Sequence, residues 1–294
     1  MTQSLHGAGF LTTYCEPPLA NNLAKTTRPT ILMALRRLFG YATQSDQSDE
    51  LTGESPMKLL TTLVAMLFAA TSFADNHKDN GPYYAFYHLQ VANPAALVES
   101  MDRFWASDCG KQYPADVALS QEIFNGSYTS THFVINTFQT SSDQAKAVEL
   151  MRTCDSGIQF LRELAEAGTV PTMQYMGPAL VDANDWTQDT TFSKFDINVN
   201  PKDQAAYGAA YGKMMASAAE DIDLRSYGIG AIYFGRDQFS HWVWTGATSI
   251  PELNAISEKL LAHPAFAEFN REVGSMRTVV NTSQIQILKG WAKQ

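Results

Sequence analysis

GSYTSTHFVINTFQTSSDQAKAVELMRTCDSGIQFLRE, from Gly126 to Glu163, and GRDQFSHWVWTGATSIPELNAISEKLLAHPAFAEFNRE, from Gly235 to Glu272, align without a gap at an offset of 109 residues. Gly126, His132, Val134, Phe160, Arg162 and Glu163 fall on Gly235, His241, Val243, Phe269, Arg271 and Glu272. The strings THFV and FLRE keep the same separation as SHWV and FNRE, which two unrelated strand-helix segments rarely do. The chain therefore reads as a unit of about 100 residues used twice.

Working outward, each copy gives the same series. Tyr83 to Val91 alternates Tyr87, Leu89 and Val91 against His88 and Gln90, the period-two pattern of a half-buried strand, and Phe195 to Val199 repeats it with Asp196 and Asn198 on the other face. Pro94 and Pro201 open helices, as a first-turn proline does. Leu97, Met101 and Phe104, then Tyr207, Tyr211 and Met214, keep the helical spacing. Paired strands follow at Val117 to Phe124 with Thr131 to Phe138, and at Ile229 to Phe234 with Phe239 to Ala247, with Gly126 and Gly235 marking the turns. A second helical region spans Asp143 to Ala167 and Pro251 to Val273, and the last strands span Thr172 to Val181 and Thr278 to Leu288.

The predicted fold class is α+β: two tandem ferredoxin-like β-α-β-β-α-β repeats, 75–185 and 186–294. Each sheet has helices on one face only, so the two bare faces are expected to pack against each other as an intramolecular barrel around a cavity.

Upstream, Lys58 is followed by an apolar run from Leu59 to Ala70, and Ser72 and Ala74 are small residues at the positions a signal peptidase reads. Residues 57–74 are expected to be a signal peptide, cleaved before Asp75, and 1–56 an upstream or disordered segment outside the fold. A membrane anchor fits less well, because the run falls short of the roughly 20 residues a spanning helix needs. Asp46, Asp49, Glu50 and Glu54 also give it the wrong flank. Export to the periplasm or medium suits Cys109 and Cys154, an even pair expected to form a disulfide worth roughly 3 to 4 kcal/mol in the chain-entropy model. Two buried free thiols are the alternative.

The whole chain carries a net charge of −9 with 45% apolar and 11% aromatic residues. That charge and the lack of a basic stripe disfavour nucleic acid and anionic lipid as partners. There is no Gly-rich phosphate loop, no Cys-x-x-Cys, no His-x-x-x-His helix and no serine nucleophile elbow, so neither nucleotide nor metal is expected.

With this element order, the His132-Phe133-Val134 strand opening and the string Leu261-Ala262-His263-Pro264-Ala265-Phe266 resemble the dimeric α+β barrel superfamily, in particular the stress-responsive A/B barrel and antibiotic-biosynthesis-monooxygenase-like proteins. The first copy departs from the pattern, with Cys154-Asp155 in place of His263-Pro264. The resemblance implies a cavity protein, among whose relatives cavity histidines act as a base or bind haem. It names no single activity.

Candidate catalytic residues are His132, His241 and His88, since imidazole exchanges protons near neutral pH. A strand-edge histidine bonded to a turn is the plainer reading of the first two. Gln90, Asp196 and Asn198 share the strand face of His88 and are candidate ligand contacts, because polar groups lining a dry cavity need partners. Trp242 and Trp244, with Trp105 and Trp186, offer an aromatic wall, although such residues are commonly core. Two functions follow: an exported monomeric barrel that binds a small molecule of aromatic or amphiphilic character, or a cofactor-poor oxygenase, cyclase or haem-handling enzyme using a cavity histidine.

Overall fold

A computed structural model describes residues 81–294. The expected upstream segment 1–56 and the expected signal peptide 57–74 lie outside the described residues. In chain order the elements are β1 (Tyr83–Gln90), α1 (Pro94–Ala106), β2 (Ala115–Phe124), β3 (His132–Phe138), α2 (Ser141–Thr153), α3 (Asp155–Glu166), β4 (Val170–Ala183), β5 (Thr191–Val199), α4 (Gln204–Asp221), β6 (Tyr227–Ala231), β7 (His241–Ala247), α5 (Ile250–Ala262), α6 (Pro264–Val273) and β8 (Arg277–Trp291). Short 3-10 turns stand at Gly110–Gln112, Trp186–Gln188 and Pro201–Asp203.

The strands form one closed antiparallel barrel in the order β1-β3-β2-β8-β5-β7-β6-β4. Instead of two sheets stacked on their bare faces, the sheet is a single ring, because β2 hydrogen-bonds to β8 and β4 to β6. Pairing those four strands removes every edge that two separate sheets would have left open.

Strand alternation sorts side chains between the lumen and the helices. On β1, Tyr84 and Phe86 enter the lumenal cluster, while Ala85 and Leu89 join the core under α1. Leu97, Met101 and Phe104 of α1 pack onto Leu119 and Phe138, and Tyr207, Tyr211 and Met214 of α4 pack onto Ile197 and Ile229. Each such buried side chain contributes on the order of 1.5–3 kcal/mol. Asn93 caps α1 by accepting from the Ala96 amide at 3.1 Å, and Thr140 caps α2 by accepting from Asp143 at 3.0 Å.

Both second helical regions are broken in two. Cys154 and His263 adopt extended backbone, and α3 and α6 start immediately after them. In the second case the cause is Pro264, which disfavours helical geometry in the residue before it, and the His263 ring then accepts the Ala265 amide at 3.2 Å. In the first case Cys154 is bonded to Cys109 across a sequence separation of 45, with Cα atoms 6.4 Å apart. A loop of this length is worth about 4 kcal/mol in the chain-entropy model.

The lumen is fitted around β6. A Cβ on Gly230 would fall within the Trp242 ring, and one on Gly228 within the Trp244 ring. Gly230→Ala should therefore lower the stability to urea by about 1–3 kcal/mol, the usual cost of overpacking. An unchanged midpoint would show that the indoles are not wedged against this strand.

Candidate functional site

Two kinds of space exist beside the barrel sheet. The lumen is nearly filled: Phe86, Phe133, Phe192, Trp242 and Trp244 leave a cavity of about 60 Å³. Drug-sized ligands need about 300–1,000 Å³, so this space suits a few waters or a molecule of similar size. Ser120 and Lys194 are its polar walls.

Beside that cavity, toward the end of the barrel covered by the β2–β3 and β6–β7 loops, lies a buried charged cluster. Glu122 Oε1 stands 3.1 Å from His88 Nδ1, out of line for a full hydrogen bond. His88 Nε2 is 3.5 Å from the Tyr175 hydroxyl. Lys194 pairs with Asp196 two residues along β5, and its ammonium lies 5.6 Å from the Tyr175 ring centre and 5.5 Å from that of Phe239. Burial lowers His88 below the ordinary histidine range and outweighs the neighbouring carboxylates. Burial pushes the Glu122 carboxyl up, but His88, Ser130 and Lys194 together hold it below its usual value. The Tyr175 phenol is raised by burial and stays neutral. Ser120 Oγ, Glu122 Oε2 and Asp196 Oδ2 are buried with no protein partner. Such groups call for water or a small polar molecule.

The larger spaces lie on the other side of the sheet, under the helices. In the first half a cavity of about 490 Å³ separates β1 and β3 from α1, α2 and α3. Its walls include Met101, Trp105, Met151, Phe160 and Leu164, with Arg152 and Gln174 also facing it. Asn136 supplies a polar edge: its Nδ2 donates to the Tyr113 hydroxyl at 2.9 Å, and its buried Oδ1 has no partner. The second half has a counterpart of about 240 Å³ under α4, α5 and α6.

Of the residues singled out from sequence, His88, Asp196, Trp242 and Trp244 meet in or beside the lumen. Gln90 and Asn198 share the lumenal parity but lie at the strand ends, exposed to solvent, with Asn198 accepting from Arg236 at 3.2 Å. His132 and His241 take the strand-edge position of the plainer reading, outside the lumen. Phe133 and Trp242 take the lumen, so the preceding residues point to the helix side. There His132 Nδ1 is 2.9 Å from Thr131 Oγ1, and His241 Nδ1 is 2.8 Å from Ser240 Oγ. Neither imidazole lines any of the three cavities described above. Trp186 does line the lumenal cavity, and Trp105 the large helix-side one.

Glu122, Lys194, Tyr175 and Asn136 were missed. Lys194 carried a signal, since a lysine two residues before Asp196 shares its strand face.

No family model matches the sequence, and no curated protein matches it. Among solved structures, the chain is similar to a proposed monooxygenase of Fusobacterium nucleatum subsp. nucleatum, with 9% identity over 72% of this chain and 94% of that one and a TM-score of 0.53. An anthrone oxidase-like protein gives 10% identity, 73% and 94% coverage and a TM-score of 0.52. A proposed monooxygenase of Lactobacillus acidophilus gives 10% identity, 72% and 96% coverage and a TM-score of 0.50. At this identity the likeness is one of fold.

The buried imidazoles give a pH test. Burial lowers His241 from its ordinary 6.5 to about 4. The unfolded chain therefore takes up this proton first as pH falls through 6.5, and stability drops from there until the folded imidazole is protonated near 4. Above that window the group contributes no slope. The urea midpoint of the wild type should fall between pH 6.5 and 4, and His241→Gln should flatten part of that fall. An unchanged slope in the variant would mean that His241 is readily protonated in the fold.

Proposed function

We propose that this protein binds a small, largely apolar molecule in the first-half cavity between the sheet and α1–α3, and does so outside the cytoplasm. The observation that carries this reading is the 490 Å³ apolar cavity beside Asn136, whose buried Oδ1 is without a partner. A mostly apolar chamber with one or two fixed polar groups is the usual form of a small-molecule site. An aromatic ring bearing a hydroxyl or amine suits it, because Asn136 Oδ1 can only accept. Fold likeness to proposed monooxygenases is compatible with such a ligand.

Export is supported by the signal-like run ending at Ala74 and by the disulfide. A single chain as the working unit is supported by the closed ring, which leaves no strand edge for a second copy. A duplicated origin is supported by the strand orders β4-β1-β3-β2 and β8-β5-β7-β6 and by matching helix breaks at Cys154 and His263. An enzymatic reading rests on one observation, His88 beside Glu122 in the lumen. There His88 would act as a general base, and loss of a detected turnover in His88→Gln with ligand binding intact would support that role.

The binding reading is tested by native mass spectrometry and Trp105-sensitive fluorescence with a panel of simple phenols and anilines. Ala147, buried against this cavity, is the place to fill it. Ala147→Trp should weaken binding at least tenfold. Binding that is indifferent to the filled cavity, or no binding by any of the panel, would overturn the assignment. Amino-terminal sequencing of the secreted or periplasmic protein should begin at Asp75.

A further inference from the structure

We infer that the second-half cavity receives the apolar body of a small carboxylate whose head is held by Arg277. This rests on the reading of the helix-side cavities as ligand chambers and adds the class of ligand to the smaller one. That chamber, about 240 Å³, is walled by Tyr207, Tyr211, Met214, Val243 and Phe269, with Arg277 also facing it. It is smaller than a drug-sized site, so the body is on the scale of one ring with a short tail.

Arg277, the first residue of β8, is held in place without being neutralised. Its Nη2 donates to Asn270 Oδ1 at 2.6 Å. Its guanidinium lies 5.3 Å from the Phe269 ring centre and 5.9 Å from that of Tyr207, within cation-π range. Its Nε is buried and has no acceptor. Arg103 and Arg225, by contrast, pair with Glu163 and Asp189. Among the described residues no Asp or Glu pairs with Arg277.

A guanidinium has only donors, and a buried donor facing an apolar chamber is matched best by an anionic oxygen. The neighbouring rings fix the plane of the fork before a ligand arrives, so little side-chain freedom is lost on binding. One cation in a chain of net charge −9 favours a single negative charge over a doubly charged phosphate.

The test is calorimetric titration of the full chain with 3-phenylpropanoate and with its neutral amide. The wild type should bind the acid about 10- to 100-fold more tightly than the amide, the range of a charge-assisted hydrogen bond. Arg277→Gln should erase the preference, bringing the affinity for the acid down to that for the amide, and Arg277→Lys should restore part of it. Circular dichroism checks that the variants fold, and the acid-to-amide ratio in the wild type stands without them. Equal affinities in the wild type, or a preference that survives Arg277→Gln, would overturn the anion assignment and leave the chamber a ligand site. Failure of both probes to bind would overturn the chamber reading for this half as well.

Discussion

A residue on a closed antiparallel barrel has two destinations, and its neighbour must take the other. In most sheets one face can relax toward solvent, but here one side is a narrow lumen and the other a helix layer, so a single step of register decides burial in one core or the other. Every placement that matters follows from that parity. Phe133 and Trp242 claim the lumen and send His132 and His241 outward, and Tyr84 and Phe86 carry His88 inward with them.

The lumen then has to accommodate what parity delivers. Aromatic side chains fill it so well that the charged groups at one end are shut in together, and a buried ion pair gains its attraction only against a large desolvation cost. Lys194 and Asp196 meet that cost by pairing. Glu122 meets it in part through His88. The helix side is looser, because helices sit on a curved sheet at a distance set by their largest contacts. Phe104 and Phe160 stack, Trp105 meets both edge-on, and the three leave space beside them.

Much of the fold is legible in the amino-acid sequence. The period-two runs around Tyr87 and Ile197 and the helical spacing of Leu97, Met101 and Phe104 are local patterns, and they emerged where expected. The break at His263-Pro264 also had a local cause. The joining of β2 to β8 and β4 to β6 did not, since no local pattern says whether two sheets will stack or link their edges. The site was less legible for the same reason. That His88 lies inward could be argued from alternation, but its neighbours Glu122 and Tyr175 come from β2 and β4, and only the ring's closure and register bring the three together.

The bond between Cys109 and Cys154 staples the end of α1 to the elbow between α2 and α3, and these three helices roof the larger chamber. The corresponding elbow at His263 has no such staple and is turned by a proline. The roof of one chamber thus depends on where in the cell the chain matures, while the roof of the other is written into its backbone. A chain kept among reducing thiols would fold the same ring with only its smaller room fully framed.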